Sequence, residues 1–494
     1  MCLRTICRVA AISTPALLAA CGGTRTPYQA PAIEMPAAWL HDADRPAAAN
    51  GNAKAGRNTG AFTTQPAAAT AASQAVATPV AHAAPHGDAW WQNFGDEALD
   101  KWVEAVLEGN GDLALAALQA RREQLQAGVA DGQRLPGVEA RLERSISGGA
   151  GRRGHERKSA GARLSVSYDL DLWGRLEHDA EAAHWRALAK AEDHADVARS
   201  QSYLAARLYW ELGYLNQRID RETDNVASAR QVRDLVAARH AAGASVYLDV
   251  VQSEQTWQQQ EAALSDLLQQ RVEARDRLAV LRGAAPASIY DEPTTLPAVP
   301  PPGIRAGLPV EVLATRPDVR AREARLRAAL ADADAARAAL YPSITLTGAL
   351  GGASRALADV IGNPARSLAA AMTLPFLEWR ERRLKVGISE TDYEERVVQF
   401  RDTLYKALAE VEDLLSAETR LRRSHEALYR ARQAARQAAD LMHVRYEKGA
   451  AYLQQWLDAQ EKWRNVSSAY DDNHFQRLLN RARLYLALGT TGCH

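Results

Sequence analysis

Displacing this sequence by 206 residues lays it over itself, and that internal repeat constrains the fold more than any other feature. The shift carries Asp112 onto Asp318, Arg121 onto Arg327, Pro136 onto Pro342 and Trp173 onto Trp379. It continues through Arg239 and Arg445, Gly243 and Gly449, Trp257 and Trp463, and Gly283 and Gly489, over about 170 residues without a gap. A fixed offset of this kind means two copies of one structural unit. The first copy occupies residues 90–285 and the second 307–489. A Pro-rich linker over 286–306, containing "PTTLPAVPPPG", joins them.

Each copy has the same internal order. A helix comes first, with Asp112 and Asp318 placed for N-terminal capping and Pro317 suited to a first turn. Pro136 and Pro342 then close it. Two short alternating runs follow: 138–147 and 162–170 in copy one, 343–350 and 367–376 in copy two. In the first run Val138, Ala140, Leu142 and Ile146 share one face, with Glu139, Arg141, Glu143 and Ser145 on the other. In the second, Leu164, Val166, Tyr168 and Leu170 oppose Arg163, Ser165, Ser167 and Asp169. Such period-two alternation suits a transmembrane β-barrel strand, and equally a half-buried strand of a soluble sheet. Four strands are too few for a barrel from one chain, so the barrel reading requires several chains.

The pattern then changes to helix. No proline lies between Pro136 and Pro286, nor after Pro375. Val397, Phe400, Leu404, Leu408, Val411 and Leu415 step by three or four, the spacing of one helix face. Segments 174–240 and 380–446 would each run ~100 Å at 1.5 Å per residue. Gly243 and Gly449 then mark hairpin tips, because glycine adopts the left-handed conformation that ends a helix. Shorter returning helices end at Gly283 and Gly489.

Residues 1–20 read as an export signal: Arg4 and Arg8 precede the short apolar core "VAAISTPALLAA",. That core is too short for a membrane-spanning helix, which needs ~20 apolar residues. Leu18-Ala19-Ala20-Cys21 has the form of a lipobox, which makes Cys21 the lipidation site. Gly22-Gly23, with no Asp after Cys21, matches lipoproteins sorted to the outer membrane, where acyl chains anchor without spanning. Cys2 and Cys7 leave with the signal and only Cys493 remains, so no intrachain disulfide is expected. Residues 21–89 are Ala/Pro/Gly/Thr-rich and read as a flexible tether. Residues 490–494 form a tail.

The 60 basic and 60 acidic side chains cancel, which excludes a generic polyanion binder,. Arg-rich helical runs carry interleaved acids and read as solvated or partner-contact helix faces, so no nucleic-acid partner is expected. Glu181-x-x-His184 and Asp440-x-x-His443 have the spacing of helical metal ligands. The repeat does not pair them, since Glu181 and His184 map to Gly387 and Glu390. Neither a metal site nor a catalytic residue is therefore assigned.

Several stretches resemble the TolC-like outer-membrane efflux factors, in particular the lipoprotein branch called NodT-type or OprM-like. They are "GLPVEVLATRPDVRAREARLRAALADADAARAALYPSITLTGALG" (307–351), "SYDLDLWGRL" (167–176), "ALAEVEDLL" (407–415) and "RYEKGAAYLQQWLDAQ" (445–460). The resemblance covers roughly 90–490. "FLEWRERR" departs from it, with Arg380 and Glu381 where the family commonly has Gly-Arg. It implies a mainly α fold with a small antiparallel β part, assembled as a homotrimer. Each chain would give four strands to a twelve-stranded outer-membrane barrel, continued by a periplasmic α-helical barrel. The implied partners are outer-membrane lipid, a periplasmic adaptor and an inner-membrane pump of RND or similar type. The implied role is a passive efflux duct with no cofactor beyond the diacylglycerol and palmitate on Cys21. By the same resemblance Tyr446, Gln455, Asp458 and Asp249 form a periplasmic gate, and Gly243 and Gly449 mark the adaptor-contacting tips. Gln455 and Ala451 stand where a TolC-type protein can carry aspartate and arginine, which implies weaker charge pairing at the gate. The alternative is a lipid-anchored periplasmic coiled-coil scaffold, which would need no membrane strands.

Overall fold

A computed structural model describes residues 25–32, 36, 38–41, 89–147, 157–286, 291–298, 309–354, 365–374 and 378–488. Cys21, the signal, most of the tether, the end of the linker and the C-terminal tail lie outside these residues. The chain divides into two compact units. One comprises Met1–Pro31, Ala117–Asp193 and Asp318–Thr403; the other comprises Ala32–Ala116, His194–Pro317 and Leu404–His494. No described helix is long and apolar enough to cross a membrane.

The first unit holds a four-stranded antiparallel sheet in the order β1-β2-β3-β4. Its strands are β1 (Gly137–Ser147), β2 (Arg157–Leu170), β3 (Ser343–Ser354) and β4 (Ala365–Thr373). All four runs expected as strands form; β2 begins five residues earlier than the alternation indicates, and β4 ends three residues sooner. Register converts four separate alternations into one surface. Val138 faces Val166, Val166 faces Gly348, and Gly348 faces Leu368. The next row joins Tyr168, Leu346 and Ala370, and the one after it Leu170, Ile344 and Met372. One face is thereby mainly apolar across every strand, with Arg144 on β1 and Arg366 on β4 as charged members of it. The other carries Ser165, Ala349 and Ser367 in one row and Asp169 and Thr345 in another, where the Thr345 hydroxyl donates to Asp169 at 2.6 Å. A slip of one residue in any pair would send one strand's apolar side chains to the wrong face. The apolar face has no cover: Leu368 is 87 %, Leu142 79 % and Val138 70 % exposed.

The same unit contains α6 (Pro317–Ala338), which follows the seven-residue α5 (Pro309–Thr315) in the sequence and is buried on nearly every side. Alanines at 321, 324, 328, 331, 335 and 338 permit that close approach. Its polar positions are paired: Arg320 with Glu192 at 2.5 Å, Arg337 with Glu390 at 2.9 Å, and Arg325 with Asp193. Trp173 stacks on Tyr341 and donates to the Pro342 carbonyl at 2.8 Å, so a tryptophan of copy one closes over the strand entry of copy two. Part of the expected tether is held here. Thr26 donates through its backbone N–H and its hydroxyl to Asp334, both at 2.7 Å, and Arg25 reaches Glu181 at 2.8 Å.

In the second unit a tryptophan-rich core gathers Trp90, Trp91, Trp102 and Trp210 with Leu212, Leu278 and Leu478. It packs α1 (Glu97–Gly109), the middle of α3 (Arg175–Ala241), the end of α4 (Tyr247–Leu281) and the end of α8 (Leu453–Leu488). Two of its indole N–H groups are satisfied, Trp90 by Ser202 at 2.9 Å and Trp102 by the Ala205 carbonyl at 3.2 Å, while those of Trp91 and Trp210 are buried without a partner among the described residues. Trp39 is also buried in this unit, and the adjoining Leu40 and His41 amides donate to Glu412. Residues 38–41 are thus attached as well, which corrects the expectation of a tether running unbroken over 21–89.

One further expectation is corrected. Asp112 does not cap α2 (Gly111–Gly132). Asn110 does, accepting from the Leu113 amide at 2.9 Å while donating to the Leu281 carbonyl at 2.8 Å. Asp112 and Asp318 sit inside the first turns, where a carboxylate complements the helix dipole,. The described part of the linker is also fastened. Glu292 grips Arg275, the Pro293 carbonyl accepts from Asn216, and the Pro297 carbonyl accepts from His474. Gly213 is required beside it, because a Cβ there would lie 2.8 Å from the Thr295 carbonyl oxygen.

The long helices are α3, of 67 residues, and α7 (Trp379–Glu447), of 69 residues. Both are within two residues of the expected limits at either end.

Candidate functional site

The residues that stand out in the sequence gather at two helical hairpins of the second unit, α3–α4 and α7–α8. Their turns are built alike. Gly243 has φ +75° and Gly449 φ +72°, the left-handed region. The Gly243 amide bonds to the His240 carbonyl at 2.9 Å and the Ala244 amide to the Arg239 carbonyl at 2.8 Å. In copy two, Gly449 bonds to Tyr446 at 3.0 Å and Ala450 to Arg445 at 2.8 Å. This pair of bonds is the Schellman arrangement, which consumes the last helix carbonyls and needs a residue tolerant of positive φ. No side chain crowds either glycine, so conformation alone selects the residue.

An apolar cluster joins the hairpins. Val232 and Val236 of α3 pack with Tyr446 of α7 and with Leu453, Trp456 and Leu457 of α8. Val250 of α4 and Met442 lean against them. Tyr446 is 7 % exposed: one face stacks on Trp456 at 5.1 Å and the Arg239 guanidinium lies over its ring at 5.0 Å. Trp456 is covered further by His443, stacked at 4.6 Å. Sequence reasoning misses Trp456 and Arg239 as site residues, although Trp456 lies in the glycine-containing stretch that marks this hairpin.

The polar candidates divide by environment. Asp249 is half-buried in the first turn of α4, and its amide bonds to the Val246 carbonyl at 3.1 Å. Gln455 occupies the corresponding position of α8 and turns its side chain back, accepting from the Tyr452 amide at 3.2 Å. That is half of a capping box, and it satisfies one of the orphan donors at the helix start. Asp458 is exposed one turn along and accepts from Gln454 at 2.6 Å. Within one chain, then, Asp249 and Asp458 offer carboxylates beside the hairpins, Gln455 is engaged in capping, and Tyr446 is engaged in packing. Around the turns Tyr452 is 81 % and Tyr247 69 % exposed, and Val246 and Leu248 are exposed too. Apolar groups left in water at a helix turn mark a contact surface.

The two carboxylate-x-x-His spacings do not converge. Glu181 binds Arg25, whereas His184 faces Asp131 at 3.0 Å; Asp440 is exposed, and His443 covers Trp456. Among the described residues no group of three or more His, Cys, Asp or Glu side chains could hold a metal ion.

The family model described as "Outer membrane efflux protein" matches residues 102–284 and 308–490. The two segments are displaced by the same 206 residues as the internal repeat. The pyoverdine export outer membrane protein OpmQ of Pseudomonas aeruginosa is 31% identical over 410 residues, covering 81% of this chain and 86% of that protein. Outer membrane protein OprJ of the same organism is 30% identical over 421 residues, covering 81% of this chain and 85% of its own. Among solved structures, the Campylobacter jejuni CmeC outer membrane channel shares the fold with a TM-score of 0.77, at 21% identity, over 82% of this chain and 88% of its own.

Proposed function

From the premise that this chain belongs to the outer membrane efflux protein family, we propose that three copies form the passive outer-membrane duct of a tripartite pump. The chain is an outer-membrane efflux channel of a Gram-negative bacterium. The observation that carries the duct reading is the exposed sheet with one mainly apolar face spanning all four strands and two open edges, β1 and β4. In hydrocarbon an unpaired strand edge costs several kcal/mol per unsatisfied group, so such a sheet must close on other sheets. Strands of 9 to 14 residues reach across a bilayer, which takes about 9–11,. Three copies would contribute twelve strands, with the apolar face outward and the Ser, Thr and Asp face lining water.

On this reading Cys21 carries the lipid anchor, and the hairpins with their exposed Tyr247 and Tyr452 meet a periplasmic adaptor that leads to an inner-membrane pump. Asp249 and Asp458 from each copy line the closed end. Rings of carboxylates there favour cations. Tyr446 and Gln455 hold the second hairpin in place from behind, by packing and capping. Relatives are named for pyoverdine export, for toxin and drug export and for cation efflux, which supports a duct whose cargo is chosen elsewhere.

Single-channel conductance of purified protein in a planar bilayer tests the reading, with wild type set against Asp249→Ala/Asp458→Ala. The expected outcome is small, infrequent openings for wild type and larger ones for the double variant. Equal, wide-open currents would retain the channel and remove the gate assignment. Reproducible absence of conductance would favour the poreless scaffold.

A further inference from the structure

On the face that the duct reading turns to lipid, register places two arginines, Arg144 of β1 and Arg366 of β4. Both are exposed, and neither has an ion-pair partner among the described residues. No acid stands on this face of the described strands; Glu139, Glu143 and Asp169 all belong to the opposite one. Whichever way β4 of one copy meets β1 of the next, the described residues offer these arginines no carboxylate on that face. Both also lie toward the hairpin ends of the sheet, away from the helices. Arg144 is three residues from the end of β1, and Arg366 is second in β4. At the helix end the same face closes on Leu170, Ile344 and Met372, without charge.

We propose that Arg144 and Arg366 bind the phosphate groups of an anionic outer-leaflet lipid, a multiply acylated glycolipid carrying phosphate monoesters. The inference rests on the duct reading above, with this face toward hydrocarbon and the strand hairpins outward. Ten residues separate Leu170 from Ala160, which pairs with Arg144. At ~3.3 Å per residue that is about 33 Å along the strand. A tilt of about 40° reduces it to about 25 Å, the height of the apolar band of such barrels. Arg144 thus stands where hydrocarbon gives way to headgroups. Arg366 lies two rows deeper, beside Leu350. Its long stem can run outward over Gly352, the diagonal neighbour on β3, which has no side chain to block it,.

Chemistry selects the occupant. A charge on a lipid-facing strand is costly in proportion to its depth, so two arginines without an acid call for an anion on the lipid side. A guanidinium matches phosphate through two parallel N–H donors and stays charged throughout the physiological pH range. The surface beside Arg144 is also hollow. Ala160 and Ala162 of β2 and Gly352 of β3 form its floor, and Leu142, Leu164 and Leu350 stand around it. A sugar–phosphate headgroup settled in that hollow would meet both guanidiniums, with its acyl chains passing down over the leucines.

The test reconstitutes the full-length protein in phosphatidylcholine bilayers doped with diphosphoryl lipid A or with phosphatidylglycerol. Lipid kept through transfer into detergent is then counted by native mass spectrometry. Wild type should keep lipid A, and Arg144→Gln/Arg366→Gln should lower that retention roughly tenfold. Arg163→Gln, on the opposite face of β2, should retain it as wild type does. Arg144→Lys/Arg366→Lys keeps the charge and loses the planar fork, so its retention should fall between the two; it also serves if the glutamines impair assembly. Equal retention by wild type and the double variants, or an equal loss in Arg163→Gln, would overturn the proposal. Phosphatidylglycerol held as well as lipid A would overturn the choice of a glycolipid. Displacement of lipid A by excess inorganic phosphate would replace the lipid site with a free-anion site. Failure of the wild type to enter any of these bilayers would remove the barrel reading itself, an outcome distinct from an inserted protein that holds no lipid A.

Discussion

The two hairpins have the same backbone and opposite surfaces. Their turn glycines differ by 3° in φ and make the same bonds at nearly the same distances. Yet at equivalent positions copy one carries Tyr247, Asp249 and Val250 where copy two carries Leu453, Gln455 and Trp456. Leu453 and Trp456 are buried, whereas Tyr247 is exposed and Val250 only leans on the cluster. Copy two's hairpin is thus held from inside by its own returning helix. Copy one's hairpin turns more of its returning helix to the outside. A duplicated turn can keep its geometry through one glycine while its flanks diverge into a packed partner and a displayed one, because the turn is set locally and the flanks answer to their neighbours.

The most severe way to break this asymmetry is Trp456→Ala. Removing a buried aromatic costs about 3–5 kcal/mol, and the loss should appear as faster amide hydrogen exchange through residues 440–460. The equivalent Val250→Ala should change exchange in its own hairpin far less. Equal effects would mean that the second hairpin is not the packed one.

Next come Gly243→Val and Gly449→Val, which should cost about 1–2 kcal/mol each, since an L residue is forced into the left-handed region. Here the hairpins should behave alike, because neither glycine has a crowded neighbour to add a second penalty. A large difference between the two variants, again by hydrogen exchange, would show that the shared turn geometry does not govern their stability.

The smallest expected effect sharpens the contrast at the helix starts. Gln455→Ala removes a capping bond and should weaken the first turn of α8 by about 0.5–1 kcal/mol. Asp249→Ala makes no such loss, since α4 has no side-chain cap, and removes only a favourable dipole contact of about 0.3–1 kcal/mol,. Raising ionic strength should shrink the Asp249 effect and leave that of Gln455, which separates the two by their salt dependence.

Much of this is legible in the sequence. The 206-residue repeat by itself pairs Gly243 with Gly449, and the change from alternation to helix spacing, ended by those glycines, marks both long helices to within two residues. Alternation locates all four strands. Capping preference points to Asp112 as readily as to Asn110, because it names a residue type; only the chain's entry from α1 decides between them. The composition of residues 25–32 suggests a tether, since it lacks large apolar groups. Their attachment comes from the bonds of Thr26 to Asp334 and of Arg25 to Glu181, and from the Tyr28 ring beneath Arg327, which composition does not encode. Tyr446 is legible as a hairpin residue, but its burial depends on Trp456 and Arg239, which reach it from other helices.

What the sequence determined by itself, then, was everything with a short period: helix, strand, turn and the duplication that repeats them. Those features depend on residues three, four or two positions apart, or on one backbone angle at Gly243 and Gly449. The tertiary structure alone decided the order and register of the strands, which merges Val138, Val166 and Leu368 into one surface, and which hairpin hides its returning helix. Both require knowing which distant segments touch, and that depends on the packing of the whole chain and not on any local pattern.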